Sequence, residues 1–220
     1  MNEEFFSKLR DKIKPHYEGG NNCHEFMHTE RVYNLATKIA QKEKADLEIV
    51  KIATLLHDIA RKKQDESKGK ICHAEEGGKM AQEILNELDY PKDKIEEIKH
   101  CIESHRFRKS SITPKTTEAK VLYDADNLDA IGAIGIGRAF SFAGHVGACV
   151  HHPDKELLIN SEPYGEHDCA YREYLVKLSK IKEKMLTQTG KEMAEERHDF
   201  MNEFFTRLNL ETEGKIWKKK

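Results

Sequence analysis

A chain of 220 residues, 38% hydrophobic and 35% charged, can bury a substantial core beneath a heavily solvated surface, which excludes a disordered or membrane-embedded class. The formal net charge of -2 argues against a surface built mainly to coat nucleic acid, while leaving room for a local basic pocket that takes a small anion. The longest apolar runs, such as Ile52 to Leu56, fall far short of the roughly 20 residues a membrane span needs.

The charged start MNEEFFSKLRDK has neither the apolar stretch nor the small-residue cleavage site of an export signal, so a cytoplasmic location is expected. Five cysteines, Cys23, Cys72, Cys101, Cys149 and Cys169, form no CxxC pair, and their odd number fits free thiols in a reducing compartment. Three of them adjoin histidines (Cys23-His24, Cys72-His73, His100-Cys101), but without short paired spacings ordinary buried thiols are expected rather than a zinc site.

Apolar residues recur at steps of three and four and strand-like alternation is scarce, so the expected fold is all-α, one compact multi-helix domain. A short helix from Glu3 to Ile13 is expected to stop at Pro15, with Gly19 to Asn22 as a loop before a long helix through His28, Val32, Leu35 and Ile39. Asp46 is placed to cap the next helix, where IVKIATLLHDIA is apolar almost all round and so runs through the core, with His57 and Asp58 at its end. Gln64 to Lys70 reads as an exposed loop, after which a helix resumes near His73, continues through Met80, Ile84 and Leu88, and ends at Tyr90-Pro91.

Ile95, Ile98, Ile102 and His105 share the buried stripe of a further helix, while His100 points elsewhere. Beyond the Thr113-Pro114 turn, a helix carries Val121, Leu122, Asp124, Asp126 and Asp129 into the glycine-spaced run IGAIGIGRAF, whose small residues permit close packing. Pro153 and Pro163 frame the least regular segment. Two helices, about Asp168 to Leu186 and Lys191 to Leu208, then lead to a basic tail, and no internal repeat is present.

Three pieces carry chemistry together: His28 in HTERVYNLA, the dyad His57-Asp58 in LLHDIAR, and Asp126 in YDADNLDAIG. A carboxylate set into an oily helix is costly to bury unless something compensates it, and a bound cation would do so for the aspartates and histidines alike. Imidazole nitrogens of His28 and His57 with carboxylate oxygens of Asp58 and Asp126 form a mixed N/O set suited to an octahedral divalent ion, Mn, Fe, Co, Ni or Mg. Two positions would stay open to polarise a phosphate oxygen and to lower the pKa of a bound water. For a His-Asp pair standing alone, the competing reading is a capping aspartate beside a satisfied core histidine.

With these motifs the sequence resembles the HD-domain phosphohydrolases, whose pattern is a histidine, an adjacent His-Asp pair and a distant aspartate, here His28, His57-Asp58 and Asp126. HEFMHTERVYNLA, CIESHRFR, YDADNLDAIGAIGIGRAF and MAEERHDFMNEFF extend the likeness to the general bacterial and archaeal branch of that family, over roughly residues 20 to 210. The resemblance implies a helical HD-domain fold, with core motifs in 24–140 and C-terminal helices in 168–208 packing on it, a transition metal, and activity on nucleotides or other phosphate esters.

It also makes His73 and His105 the next candidates, since related enzymes with two metals use extra histidines before the final aspartate, and Asp58 would then bridge two ions. The GYP-type signature of the cyclic-dinucleotide branch is absent, and single-ion members also keep histidines here as phosphate ligands or proton carriers. One tight ion with His73 and His105 facing the substrate is therefore the expectation, and a second site the alternative. Arg61, Lys62, Lys79, Arg106, Arg108 and Arg138 adjoin the motifs, and Lys79 and Arg138 are the chosen phosphate contacts. Asp129 either orients a ligand or ends its helix. His24, His100, His145, His151, His152, His167 and His198 are given no role.

Metal-activated water attacking phosphorus in a nucleotide or related small phosphoester or phosphoanhydride is the expected reaction. The alternatives are a non-catalytic regulator that binds metal and nucleotide, and an RNA-processing nuclease, although no membrane or stable nucleic-acid partner is expected.

Overall fold

The computed structural model describes residues 3–17, 26–106 and 112–217, and among them every regular element is helical. The expected Gly19–Asn22 loop, together with Cys23, His24, Arg108 and the last lysines of the basic tail, lies outside the described residues. In chain order come α1 (Glu3–Tyr17), α2 (Phe26–Glu43), α3 (Leu47–Leu56), α4 (Arg61–Glu66), α5 (His73–Glu87), α6 (Lys92–Ser104), α7 (Thr117–Asp129), α8 (Gly132–His145), α9 (Lys155–Asn160), α10 (Ala170–Val176) and α11 (Gln188–Thr212). Two single 3-10 turns, Leu178–Lys180 and Lys182–Lys184, lie between α10 and α11. The chain gathers into two compact units: one runs to Asn127 and takes in Leu186–Gly190, and the other holds Leu128–Met185 and Lys191–Lys220.

The first unit is organised around α3. Ile49, Val50, Ile52, Ala53, Thr54, Leu55 and Leu56 are all buried in it, as an apolar face running all round the helix requires. Each of the leucines is worth about 1.5–3 kcal/mol of transfer free energy relative to exposure. α2 brings Val32, Ala36, Ile39 and Ala40 against α3, α6 brings Ile95, Ile98, Cys101 and Ile102, and α1 packs there as well. α5 covers α6, and α4 lies against α5. Asp46 starts α3 as expected: its carboxylate accepts from the backbone N–H of Glu48 at 2.8 Å and of Ile49 at 3.3 Å.

Two boundaries differ from expectation. α1 runs through Pro15 to Tyr17, because a proline in the last turn forfeits little of the backbone ladder while Tyr17 is anchored by donating its hydroxyl to the Leu55 carbonyl at 2.9 Å. The polar stretch from Gln64 is not all loop either. Residues 64–66 complete α4, and the turn begins at Ser67, using left-handed Lys68 (φ 52°) and Gly69 (φ 80°).

Asp124 ties the end of this unit's chain to its core. Fully buried, it accepts from the Leu186 N–H at 2.9 Å, the Thr187 N–H at 2.7 Å and the Thr187 hydroxyl at 2.6 Å. Burial pushes its carboxyl pKa up, while these hydrogen bonds oppose the shift. Gly190 has to be glycine, since a Cβ there would stand 2.2 Å from the Asp124 carboxylate.

In the second unit α10 packs on α8 and α9. The expected helix from Asp168 to Leu186 is broken after Val176, where Lys177 leaves helical geometry (φ -135°, ψ -58°). Two tight turns follow, in which Leu178, Ile181 and Met185 are buried. The other C-terminal helix, α11, is longer than expected, from Gln188 to Thr212.

The segment after α8 is held by a buried ion pair. Arg172 donates to Asp168 at 2.9 Å, to the Ser161 hydroxyl at 2.9 Å and to the Ser161 carbonyl at 2.6 Å. His151 stacks on Tyr171 and donates to the Asn209 side-chain oxygen at 2.7 Å. Thr187→Val, which removes the hydroxyl bond to a buried charge, is expected to lower unfolding free energy by about 1.5–3 kcal/mol in denaturant melts, and a change within about 0.5 kcal/mol would remove Asp124 from this anchoring role.

Candidate metal centre

Six side chains meet in the first unit, and four of them are delivered by helix ends. His57 is the residue at which α3 stops, and Asp58 follows it. His105 terminates α6 in the same way, and His73 opens α5. His28 comes from the first turn of α2 and Asp126 from the last turns of α7. His28, His57, Asp58, His73 and His105 are each exposed by 2% or less, whereas the Asp126 side chain keeps 25% exposure and marks the open edge of the cluster.

Helix termination also sets the tautomers. The last carbonyls of a helix lack intrahelical partners. The His57 Nδ1–H donates to the Thr54 carbonyl at 2.7 Å, and the His105 Nδ1–H to the Ile102 carbonyl at 2.5 Å, each three residues back. Carbonyls only accept, so each of these Nδ1 atoms carries a proton, and Nε2 is the nitrogen that faces inward, with a lone pair in the neutral ring. His73 is set by Gln64, whose side-chain oxygen takes both the His73 backbone N–H at 3.3 Å and its Nδ1–H at 2.9 Å.

The inward nitrogens fall into two groups around Asp58. One Asp58 oxygen is 3.8 Å from His28 Nε2 and 3.7 Å from His57 Nε2, and Asp126 is 3.2 Å and 3.9 Å from the same two nitrogens. The other Asp58 oxygen is 3.2 Å from His73 Nε2 and 3.8 Å from His105 Nε2. His57 Nε2 faces His28 Nε2 at 3.4 Å, and His73 Nε2 faces His105 Nε2 at 3.2 Å. In the His73–His105 pair, where both Nδ1 atoms donate outward, two lone pairs directed at one another repel, and a cation or proton between them relieves the contact. The donor set of His28, His57, Asp58 and Asp126 fits a divalent ion, with the His57 ring oriented from its far side in the way metal-binding histidines are.

Burial lowers the pKa of His73 to about 2, the nearby Asp58 charge opposing it, and that of His105 to about 4. Burial acts to raise Asp126, but the His28 contact outweighs it and holds that carboxyl far below the usual range. Tyr17 lies beside Asp58, and burial pushes its hydroxyl up. Among the other expected residues, Lys79 stands in solvent on α5, its side chain 68% exposed and 3.9 Å from Glu76. Arg138 belongs to the second unit, where it donates to the Asp129 carboxylate at 3.0 Å and the Asp129 carbonyl at 3.3 Å, giving Asp129 a structural partner.

Sequence reasoning missed Gln64 and Thr54. No periodicity marks a glutamine nine residues before a histidine as its partner, though a histidine just past a helix end is a readable sign that the carbonyl three residues back receives its proton.

An all-helical unit that converges a histidine, an adjacent His-Asp pair and a distant aspartate on one point carries the residue pattern of the HD family. The HD domain family model matches residues 26–131. The YpgQ protein of Bacillus subtilis (strain 168) is 36% identical over 197 residues, 87% of this chain and 85% of that one. Its crystal structure in complex with ADP superposes with a TM-score of 0.72 at 31% identity, covering 94% of this chain and 95% of that chain. An HD-superfamily hydrolase from Bacillus thuringiensis gives 0.73 at 28% identity over 96% and 98%, and a predicted HD superfamily hydrolase from an uncultured Thermotogales bacterium gives 0.67 at 28% over 96% and 99%. The chain belongs to the HD superfamily of hydrolases.

The low histidine values make the stability of metal-free protein depend on pH. An unfolded histidine takes its proton near about 6.5. Below that value the unfolded chain binds protons that folded His105 refuses until about 4 and folded His73 until about 2, so stability is lost as pH falls through this window. Thermal melts of chelator-treated protein from pH 7 to 4 are expected to show that decline, with a shallower slope in a His73→Gln, His105→Gln double variant; equal slopes would mean these two rings titrate normally.

Proposed function

We propose that the chain is a divalent-metal-dependent phosphohydrolase acting on a nucleotide or a related small phosphoester or phosphoanhydride, with His28, His57, Asp58 and Asp126 holding one tight ion. What supports this most is the inward-facing Nε2 of His57, which a carbonyl-bound Nδ1–H keeps as a lone pair among His28, Asp58 and Asp126. When bound, the ion would supply Lewis acidity for a phosphate oxygen and an acidified water. Mn, Co, Ni, Fe and Mg all suit a mixed imidazole and carboxylate set.

Asp58 orients the centre from its middle, one oxygen toward His28 and His57 and the other toward His73 and His105. His73 and His105, whose inward Nε2 atoms flank the second Asp58 oxygen, are the proposed groups that face the substrate and accept hydrogen bonds from the reacting water. The partly exposed Asp126 edge admits a compact anion. A nucleotide is favoured as that anion because the similar YpgQ protein was crystallised with ADP. Lys79 could reach a phosphate from the exposed face of α5, and Arg138 is the second proposed phosphate contact.

Purified protein offered nucleoside mono-, di- and triphosphates with Mn, Co or Ni is expected to release phosphate or pyrophosphate from at least one. Asp58→Ala is expected to lose the ion, measured by elemental analysis, and to cut turnover at least ~100-fold. Wild-type protein carrying stoichiometric metal yet cleaving none of the panel, or an Asp58→Ala variant that keeps both, would sink this reading.

A further inference from the structure

We propose that Arg61 sets the stoichiometry of this centre at one ion, by occupying with its own charge the carboxylate that a second ion would need. The inference rests on the metal reading above. Asp58, His73 and His105 by themselves offer three ligand atoms within 4.8 Å of one another, so the histidine geometry alone would accept a second cation. What differs between the two groups is charge. The first has Asp126 as well as a share in Asp58, whereas the second has Asp58 alone.

Arg61 is built onto that carboxylate. Its Nη2 forks over both Asp58 oxygens at 3.1 and 3.3 Å, and its backbone N–H donates to the Asp58 carbonyl at 2.9 Å. The Arg61 Nε is buried without an acceptor, so the guanidinium is held by the Asp58 carboxylate. Arg106 places a further positive charge beside His73. A guanidinium cannot shed its proton to relieve crowding.

Counting Arg61 with one divalent ion, Asp58 and Asp126 offset all but a single positive charge, Arg106 adds one more, and an incoming phosphate neutralises this excess. A second ion would raise that excess by two further positive charges in a buried site, which is prohibitive without further anionic ligands. His73 and His105 consequently stay free of metal and available to substrate.

The test is a Mn2+ titration of metal-stripped protein by calorimetry, with electron paramagnetic resonance to detect coupled ion pairs. Wild type and Arg61→Lys are expected to bind one equivalent. Arg61→Met, which keeps the stem and removes the charge, is expected to bind two and to show a coupled pair, and Arg61→Gln serves as a second neutral variant, with circular dichroism confirming that each is folded. Two equivalents in wild type, or one in both folded neutral variants, overturns the role of Arg61 and leaves the metal reading standing. No ion in any of the proteins overturns both.

Discussion

Asp58 is a carboxylate with almost no exposure, in a unit whose central helix is apolar on every side, and an unpaired charge in such a place would cost more than a small domain's whole margin of stability. The neighbourhood is arranged to answer that charge. A guanidinium three residues on lies across both of its oxygens, and imidazole nitrogens from four helices stand around it in groups that could hold a cation. Helix packing in the first unit has to deliver those groups together. The centre and the core are thus one problem, since a shift of α3 against α2 or α6 would strand the carboxylate and open the apolar contacts at the same time.

Helix ends are an economical means of delivery. Where α3 and α6 stop, their final carbonyls need partners, and His57 and His105 provide them through Nδ1. The bond that finishes each helix also decides which ring nitrogen faces the centre. Gln64 does the same for His73 from a neighbouring helix, so three rings are oriented from outside without any of them being spent on one another. The likeness to solved HD-superfamily structures extends over nearly the whole chain.

Much of this could be read from residue order. Periodicity marked α2, α3, α5, α6 and α7, and the oily run around Ile52 marked α3 as central, because an amphipathic stripe and an all-round apolar helix have different burial consequences that a linear pattern records directly. Asp46 was legible as a cap for the same reason: its hydrogen bonds go to residues two and three positions on. Pro15 and Lys177 were not. The local pattern does not say whether a proline ends a helix or a lysine breaks one: Leu178, Ile181 and Met185 keep a spacing that an unbroken helix would also bury, and the Leu55 carbonyl that holds Tyr17 comes near only in three dimensions.

The sequence by itself determined the family of helices, the His-Asp dyad at the end of the most buried one, and the pool of histidines and aspartates from which a centre could be drawn. Only the tertiary structure decided that His73 and His105 share Asp58 with His28 and His57, that Gln64 and two helix-end carbonyls set the ring tautomers, and that Arg61 turns onto Asp58 while Lys79 stays in water. Hydrophobic burial is written along the chain with a period of a few residues, whereas electrostatic compensation of one buried carboxylate is a sum over groups up to about seventy positions away, and proximity of that kind exists only once the helices have packed.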